Sequence, residues 1–286
     1  MKVSICTPTY NRRPFIPTLI QCVHHQTYTG PVEWVIVDDG TDPIGDLVES
    51  LPFVKYIRLH KKANLGYKRN LLHANCSGDI LVYMDDDDYY PPTRISHAVE
   101  KLSASPYLIA GSSIIHVYYP HLKEIIEFGP YGPNHATAGT FAFKKELLSL
   151  TSYKEDACMA EEKHFLKNYT IPMVQLDPLH VILVVCHPFN TIDKKEVLKH
   201  QGKSYRYNID DIILTPDMNT FFTTTIHTLE YKEGSIEHKP DVEEYQRGIA
   251  TGNTFCVKMN GRVFNGNQII DILNQQLLLL RQHRIL

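Results

Sequence analysis

Four consecutive aspartates, Asp85–Asp88, directly follow the apolar segment 80–84. Carboxylates this close repel one another, and each is pushed toward its protonated form unless a cation lies among them. Oxygen ligands with no cysteine beside them suit Mg²⁺ or Mn²⁺ rather than zinc. Most charge runs are solvated surface, but this one continues into Tyr89-Tyr90-Pro91-Pro92 rather than into a polar linker. The pattern therefore predicts a divalent-cation site at the tip of a buried strand.

Polar residues also follow two earlier apolar segments. Thr7–Arg12 come after the segment 3–6, and Asp38-Asp39 come after the segment 32–37. Because parallel strands present their carboxyl ends at one edge of a sheet, we expect these residues and the aspartates to meet in one crevice. A nucleotide bound there could be held at its base, at its ribose and, through a metal, at its diphosphate. The sequence has neither the glycine-rich dinucleotide fingerprint nor the P-loop motif, which argues against both of those nucleotide-binding classes.

Alternating strand and helix patterns must position these residues. Strands are predicted at 3–6, 32–37, 54–59 and before the aspartates, and helices are predicted at 15–26, 44–51, 66–74 and 93–102. Nearly continuous apolar strands that alternate with helices indicate a mostly parallel sheet covered on both faces. Later segments predict strands at 108–118, 123–128 and 179–186, a strand-like stretch 137–143 that leads into a helix from Lys144, a helix at 160–169 and an amphipathic helix at 268–286.

Composition limits the possible partners and compartment. The chain has 286 residues, 43% of them hydrophobic, and a formal net charge of −3, so no basic surface predicts nucleic-acid binding. Six scattered cysteines without a CxxC pair indicate reduced thiols rather than a disulfide framework. No signal peptide is apparent, and the longest apolar run, Val181–Cys186, is too short to span a bilayer. We therefore expect a soluble cytoplasmic protein. Its terminal helix would pack on the core, form a homodimer or attach the protein peripherally to a membrane.

Four segments together resemble the family 2 glycosyltransferases of the GT-A fold. They are Val3-Ser4-Ile5-Cys6-Thr7-Pro8-Thr9-Tyr10-Asn11-Arg12, Glu33-Trp34-Val35-Ile36-Val37-Asp38-Asp39-Gly40-Thr41, Asn64-Leu65-Gly66-Tyr67-Lys68-Arg69-Asn70 and Met84-Asp85-Asp86-Asp87-Asp88. The resemblance implies an α/β, Rossmann-like, mostly parallel sheet flanked by helices. It implies a catalytic domain at 1–195, followed at 196–286 by a smaller helical or irregular extension. It also implies inverting sugar transfer from a nucleotide sugar, above all a UDP-sugar, with Mn²⁺ or Mg²⁺ as the cofactor.

The resemblance assigns roles to individual positions. The donor-binding residues would be Thr7, Pro8, Tyr10, Arg12, Asp39, Gly66, Lys68, Arg69, Asp85 and Asp86. Asp39 would contact the pyrimidine base, with Asp38 beneath it. Asp87 would ligate the metal, although four aspartates in a row leave the register open by one residue. His187, just after the strand at 179–186, would complete the metal shell, but a structural role for this histidine stays open.

An inverting transfer also needs a general base for the acceptor hydroxyl. In the family this base is the second residue of a Glu-Asp pair that opens a helix, and the matching residue here is Glu162. Glutamate in place of aspartate departs from that pattern. Glu155-Asp156 is a competing pair, and glutamates at a helix start are often only complements of the helix dipole.

The acceptor and two other functions stay open at this stage. The acceptor is expected to be a glycan or a protein-linked group, and the turn Ala138-Gly139-Thr140 is expected to border it. A sugar-nucleotide pyrophosphorylase would have a glycine-rich loop after its first strand, and Thr7–Arg13 contains no glycine. A non-catalytic module that binds nucleotide sugars would keep the donor residues and lose the base, so the glutamate at position 162 leaves that possibility open.

Overall fold

The structure is a computed structural model that describes residues 1–157, 161–190, 194–198, 203–205, 208–229, 256–259 and 262–265. Thirteen strands are described within these ranges. They are β1 (Val3–Thr9), β2 (Val32–Asp38), β3 (Val54–Arg58), β4 (Ile80–Tyr83), β5 (Ile109–Gly111), β6 (Ile115–Tyr119), β7 (Glu124–Phe128), β8 (Ala142–Lys144), β9 (Met173–Gln175), β10 (Leu183–Val185), β11 (Lys203–Tyr205), β12 (Cys256–Met259) and β13 (Arg262–Asn265).

The helices lie mostly between the early strands. They are α1 (Ile16–His24), α2 (Gly45–Val48), α3 (Leu65–Asn75), α4 (Arg94–Ser103), α5 (Glu162–Phe165), α6 (Lys194–Val197), α7 (Pro216–Thr220) and α8 (Ile226–Thr228). Short 3₁₀ turns occur at Arg13–Phe15, Ala138–Thr140, Lys145–Ser149, Pro178–His180 and Ile209–Asp211, and a π-helical stretch, Phe221–Thr225, joins α7 to α8.

The main sheet has seven strands in the order β3-β2-β1-β4-β8-β5-β9. Strands β3, β2, β1 and β4 are parallel, β8 runs antiparallel to both β4 and β5, and β9 is parallel to β5. Alternate residues of the central strands enter separate cores on the two faces. Trp34 and Ile36 point into one core, whereas Val35 and Val37 point into the other. This mostly parallel sheet, buried on both faces, confirms the predicted α/β fold.

A second sheet, in the order β10-β6-β7-β11, brings a late part of the chain to the end of β4. An isolated bridge between Tyr89 and Leu183 connects β10 to the segment that follows the aspartates. The carboxylate of Asp88 accepts a hydrogen bond from the backbone N–H of Val185 at 3.1 Å. The residues that come after β10, including His187, are therefore held against the aspartate loop.

Several predicted elements were wrong in extent. The strand predicted at 108–118 is two strands, β5 and β6, separated by Ser112–Ile114, and the helix predicted from Lys144 is a 3₁₀ turn. The helix predicted at 160–169 is the single turn α5, because Lys167, Asn168 and Tyr169 adopt positive φ. The strand predicted at 179–186 begins as a 3₁₀ turn and becomes extended only at β10.

The C-terminal part is described only in pieces. Met218, Phe222 and Ile226 of the 208–229 segment are buried in the same core as Trp34, and the Leu214 N–H donates to the Tyr89 hydroxyl at 3.1 Å. The domain boundary after residue 195 stays a prediction, and the amphipathic helix predicted at 268–286 lies outside the described residues. Within the described ranges, no helix combines the length and apolar character that crossing a bilayer would require.

Candidate active site

The loop after β2 is held in shape by Asp38. Its buried carboxylate accepts hydrogen bonds from the N–H groups of Gly40 and Ile44 at 2.8 and 3.0 Å, and from the Tyr56 hydroxyl at 2.6 Å. Asn11, in the left-handed region at φ 54°, accepts from the Thr41 N–H at 2.7 Å and so connects the loop after β1 to the loop after β2. Asp38 therefore orders the loop that carries Asp39 and has few acceptor positions left for a ligand.

Asp39 lies at the carboxyl end of β2 in a buried ion pair with Lys68 of α3. The lysine Nζ is 2.7 Å from Oδ1 of Asp39, and the Ala63 N–H donates to Oδ2 at 2.8 Å. Both side chains are less than a tenth exposed. Lys68 is thus a partner of Asp39 rather than a surface cation. The pair fixes the orientation of the Asp39 carboxylate, which the resemblance assigns to contact with the pyrimidine base.

The other residues predicted from the first strand and from α3 lie in different surroundings. Thr7 is fully buried, and its hydroxyl donates to the Met84 carbonyl at 2.7 Å while accepting from the Trp34 indole at 2.9 Å. Pro8 is buried within β1, which extends three residues further than predicted. Tyr10 is partly exposed, with the Lys62 ammonium 4.4 Å from its ring centroid. Of Thr7, Pro8, Tyr10 and Arg12, Tyr10 is therefore the one whose side chain stays partly accessible.

Gly66 is needed for packing at the start of α3. A Cβ atom there would lie 1.9 Å from the Lys154 carbonyl oxygen, and the Gly66 N–H donates to the Ala157 carbonyl at 3.0 Å. The segment 154–157 therefore crosses directly over the start of this helix. Any side chain at position 66 would displace it, so Gly66 has a structural role here, and its predicted donor contact stays a prediction.

The aspartate loop presents alternate carboxylates. The side chains of Asp85 and Asp87 are 27% and 16% exposed, whereas Asp86 and Asp88 are buried. Burial is the largest effect on the pKa of Asp86, and with the neighbouring charge of Asp87 it raises that pKa to about 7. Burial and Asp87 also raise the pKa of Asp88 well above its usual range. Asp85 and Asp87, two residues apart, are therefore the loop carboxylates that stay accessible.

Arg12 and His187 flank this loop on one side. The Arg12 Nε lies 3.6 Å from Asp86 and 3.5 Å from Asp87, and its guanidinium donates to the Phe189 carbonyl. The His187 Nε2 lies 3.3 Å from Oδ2 of Asp87. Burial alone would raise the pKa of Asp87, but the His187 contact and the Arg12 charge outweigh it and hold the pKa below its ordinary value. Asp87 is consequently ionised near neutral pH.

Arg69 and Glu161 flank the loop on the opposite side. The Arg69 Nε donates to Oε1 of Glu161 at 2.9 Å, its Nη1 lies 3.6 Å from Asp85, and its guanidinium stacks on the Tyr83 ring at 4.5 Å. Arg69 is 3% exposed in its side chain. The guanidinium thus joins the aspartate loop to the start of α5, which is a connection that the sequence does not reveal.

Glu162, the predicted base, opens α5 and is buried. Burial is the main cause that raises the pKa of its carboxyl to about 8, and the charge of Glu161 adds to this, while Arg69 acts in the opposite direction. This environment therefore favours the protonated form of Glu162 near neutral pH. Asp156, of the competing pair, is exposed. The structure therefore places Glu162, and not Asp156, among the buried charges of the site.

Gly139 brings the Ala138–Thr140 turn against the aspartate loop. A Cβ atom at this position would lie 3.0 Å from Oδ2 of Asp85, closer than side chains normally pack. The turn leads into β8, which pairs with β4. The side of the loop that faces Arg69 is thus also bordered by this turn, where the acceptor is expected.

The donor set of the loop suits a cation that keeps other ligands. Among the described residues, no three His, Cys, Asp or Glu side chains are arranged as a metal cage. Asp87 and His187 nevertheless bring one carboxylate oxygen and one imidazole nitrogen to the same point. Mg²⁺ is commonly held by one or two carboxylates together with substrate phosphates and water, and imidazole is an acceptable ligand for many transition metals. These two residues fit a divalent ion that a bound diphosphate completes.

Comparison with known proteins finds a family likeness in the first part of the chain. The model of Glycosyl transferase family 2 matches residues 4–128, which include β1, β2, α3 and the aspartate loop. The match covers less than half of the chain. An uncharacterized glycosyltransferase of Bacillus subtilis (strain 168), YwdF, is 30% identical to this chain over 118 residues, 40% of the chain and 43% of the relative. The chain thus spans less than half the length of the curated relatives that it matches.

Solved structures share the fold of this chain. S. aureus TarS 1-349 in complex with UDP superposes with a TM-score of 0.54 at 16% identity, covering 92% of this chain and 96% of that chain. The mannosyltransferase PcManGT from Pyrobaculum calidifontis, in complex with GDP-Man and Mn2+, gives a TM-score of 0.53 at 19% identity and covers 77% and 69% of the two chains. At these identities the likeness supports the fold alone.

Sequence reasoning missed three kinds of contact in this candidate site. Glu161 holds Arg69, Asn190 lies 2.9 Å from the His187 ring, and Phe189 accepts from Arg12 through its carbonyl. The Glu161-Glu162 pair was visible as a motif, but only its second residue was given a role. Backbone carbonyl contacts such as that of Phe189 carry no side-chain signal at all.

Proposed function

We propose that this chain is an inverting glycosyltransferase that moves a sugar from a UDP-sugar to a hydroxyl acceptor and depends on Mn²⁺ or Mg²⁺. One observation carries the proposal: the aspartate loop contacts the Arg12 guanidinium and the His187 imidazole on one flank, and on the carboxylate flank it contacts Arg69, which holds Glu161 next to Glu162. The diphosphate of a donor would bind at the first flank. A carboxylate of the second flank would take the proton of the acceptor hydroxyl.

The residues divide the work of a single displacement. Asp39, oriented by Lys68, accepts a hydrogen bond from the pyrimidine. Asp85 lies next to Asp87 on the accessible side of the loop and is placed for the ribose. A divalent ion held by Asp87 and His187 would supply positive charge where the diphosphate departs. Arg12 adds a second positive charge on the same flank, and Glu162 accepts the proton of the attacking hydroxyl.

The family likeness, the GDP-Man and Mn2+ bound by PcManGT and the UDP bound by TarS all support a nucleotide-sugar donor. The experiment that tests it is a hydrolysis screen of UDP-, GDP- and dTDP-sugars with and without Mn²⁺. Turnover of UDP-sugars that needs the metal is the expected result. No turnover of any donor, together with retained UDP binding, would instead favour the non-catalytic binding module, for which the raised pKa of Glu162 is the supporting observation.

We expect UDP to compete much better than CDP for the donor site. The uracil N3–H can donate to Asp39, whereas cytosine has no hydrogen at N3. A carboxylate has about four acceptor positions, so Asp39 can serve uracil while keeping Lys68 and the Ala63 N–H. A hydrogen bond to a charged group contributes about 1.5–3 kcal/mol, which is about 10- to 150-fold in affinity. Competition calorimetry measures this, and Asp39→Asn should narrow the preference. Equal binding of UDP and CDP by the wild type would show that Asp39 does not accept a hydrogen bond from the pyrimidine base.

We expect kcat/KM for transfer to rise about tenfold per pH unit below about pH 8 and to level off above it. Only the ionised form of Glu162 can accept a proton, and burial and then Glu161 raise its pKa to about 8. Because the pKa is raised, the active form is lost as the pH falls. Glu161→Gln removes one negative neighbour and should move the rising limb to lower pH. A profile that is flat from pH 6 to 9 would contradict Glu162 as the base.

A further inference from the structure

Three aromatic side chains pack in a row beside the proposed base. The rings of His135 and Tyr169 are stacked, with centroids 4.7 Å apart and planes at 29°. Tyr131 also packs against His135, with ring centroids 4.9 Å apart and ring planes at 47°. Tyr131 is 53% exposed, so this end of the row is open to solvent. We call Tyr131, His135 and Tyr169 the aromatic row.

The loop that carries two of these rings is fixed to the main sheet. Gln175, at the end of β9, donates from Nε2 to the carbonyls of Pro133 and His135 at 2.8 and 3.1 Å. Its Oε1 accepts from the Ser113 N–H at 2.9 Å, and the Tyr131 N–H donates to the Ser113 carbonyl at 3.2 Å. The exposed ring of Tyr131 is therefore held by an ordered backbone.

Both chain segments that carry the aromatic row connect to the carboxylate flank. The loop continues from His135 into the turn at Gly139, where an added Cβ would touch Asp85. Tyr169 follows α5, the helix that begins with Glu162, after two residues in the left-handed region. Burial first, and then the charges of Glu162 and Glu161, raise the pKa of the Tyr169 hydroxyl. The row thus borders the point where an acceptor must meet the base.

Two polar atoms in the row are left without partners. The Nδ1 of His135 and the hydroxyl of Tyr169 are buried and have no hydrogen-bond partner in the part of the chain that the structure describes. Leaving such groups unpaired costs free energy, so they commonly mark the place of a water or a ligand group. A ligand with hydroxyl groups would supply what these atoms lack.

Charge and shape together select the ligand class. The face of a pyranose carries C–H groups of partial positive charge, which pack on the negative face of an aromatic ring, while its edge carries hydroxyls. Asp85 and Glu161 place two carboxylates around Arg69, and Glu162 adds a third when it is ionised to act as the base. This surplus of carboxylates disfavours a phosphate acceptor and suits a neutral sugar.

We propose that the aromatic row is an acceptor subsite that stacks the pyranose ring of a carbohydrate acceptor and presents its hydroxyl to Glu162. The inference rests on the proposed function, since it gives that function its acceptor class. The role of Tyr131 is to hold the sugar face, and the edges of His135 and Tyr169 hold its hydroxyls.

The test is saturation-transfer NMR of a panel of methyl pyranosides, with UDP and Mn²⁺ present. We expect at least one methyl pyranoside to bind through its ring C–H protons. Tyr131→Ala should weaken that binding about tenfold, and Tyr131→Phe should retain it, because the aromatic face is kept. Tyr107→Ala is the matched control, since Tyr107 is 43% exposed in the turn that precedes β5, and it should bind as the wild type does.

Three results would overturn the inference while leaving the proposed function intact: UDP bound but no methyl pyranoside bound, pyranoside binding unchanged by Tyr131→Ala, or binding of farnesyl phosphate in place of the sugars. The last would identify a polyprenyl phosphate as the acceptor. Failure of the wild type to bind UDP at all would overturn the proposed function itself, and the acceptor subsite with it.

Discussion

Glu162→Gln is expected to lower the rate of sugar transfer by about 10²–10⁴-fold, the usual contribution of a general base. Glutamine keeps the size of the side chain and its hydrogen-bonding capacity, but it cannot take the proton of the acceptor hydroxyl. Affinity for the donor should stay near that of the wild type, because Glu162 lies on the carboxylate flank and the diphosphate on the other. Single-turnover transfer assays and UDP calorimetry on the same preparation measure the two quantities.

Asp156→Asn is the matched control for this substitution. Asp156 belongs to the competing acidic pair but is exposed, whereas Glu162 is buried next to Glu161. The control should transfer sugar at the rate of the wild type. If Asp156→Asn abolishes transfer and Glu162→Gln does not, the general base is Asp156 and not Glu162. If neither variant loses activity, the proton is accepted elsewhere.

Asp87→Asn is expected to remove the dependence of UDP binding on Mn²⁺. Asp87 is the one carboxylate of the loop that lies against His187, and its pKa is held below the ordinary value, so it is ionised and able to ligate a cation. UDP affinity in the variant should be the same with and without Mn²⁺, whereas the wild type should bind UDP more tightly with the metal. Calorimetry in both conditions measures this, and circular dichroism checks that the fold is retained.

Asp217→Asn makes the same change in net charge on an exposed residue in the first turn of α7 and should leave the metal effect unchanged. If Asp87→Asn still binds UDP more tightly with Mn²⁺, the metal is not held by Asp87. If Mn²⁺ has no effect on the wild type either, Arg12 would be the group that neutralises the diphosphate, because it lies 3.5 Å from Asp87 already.

The first half of the fold could be predicted from the sequence because its strands are buried on both faces. Every residue of β1 is buried, and its first part, Val3–Cys6, is a mostly apolar run that can be recognised in the sequence. The extension of β1 through Pro8 was missed, since a proline usually ends a strand. Past Cys6, however, β1 pairs with β2 and no longer with β4, so a missing N–H at position 8 is tolerated.

The second half was harder because its local signals conflict with tertiary contacts. The pattern at 160–169 has helical spacing, yet Lys167, Asn168 and Tyr169 turn left-handed and end the helix after one turn. Only asparagine among these three favours that conformation on its own. The main sheet also takes in β8 between β4 and β5, an order that hydrophobic periodicity cannot show.

The candidate site was predicted in its residue types but less well in their roles. Arg12, Asp39, Lys68, Arg69, Asp85, Asp87, Glu162 and His187 all lie at or beside the end of the sheet. Thr7 and Gly66 also have packing roles that the sequence did not indicate. Pairings such as Arg69 with Glu161 join positions 92 apart in the chain, and a single sequence contains no information about which charges meet.

The large sequence separation of these contacts affects when the candidate site forms during folding. Arg12 reaches the Phe189 carbonyl across 177 residues, and Asp88 reaches Val185 across 97. Closing loops of this length costs chain entropy before any contact repays it, so such contacts are characteristic of slow steps in folding. No short fragment of the chain contains both flanks of the site. The fraction of protein that binds a ligand at this site therefore also reports the fraction that has completed folding.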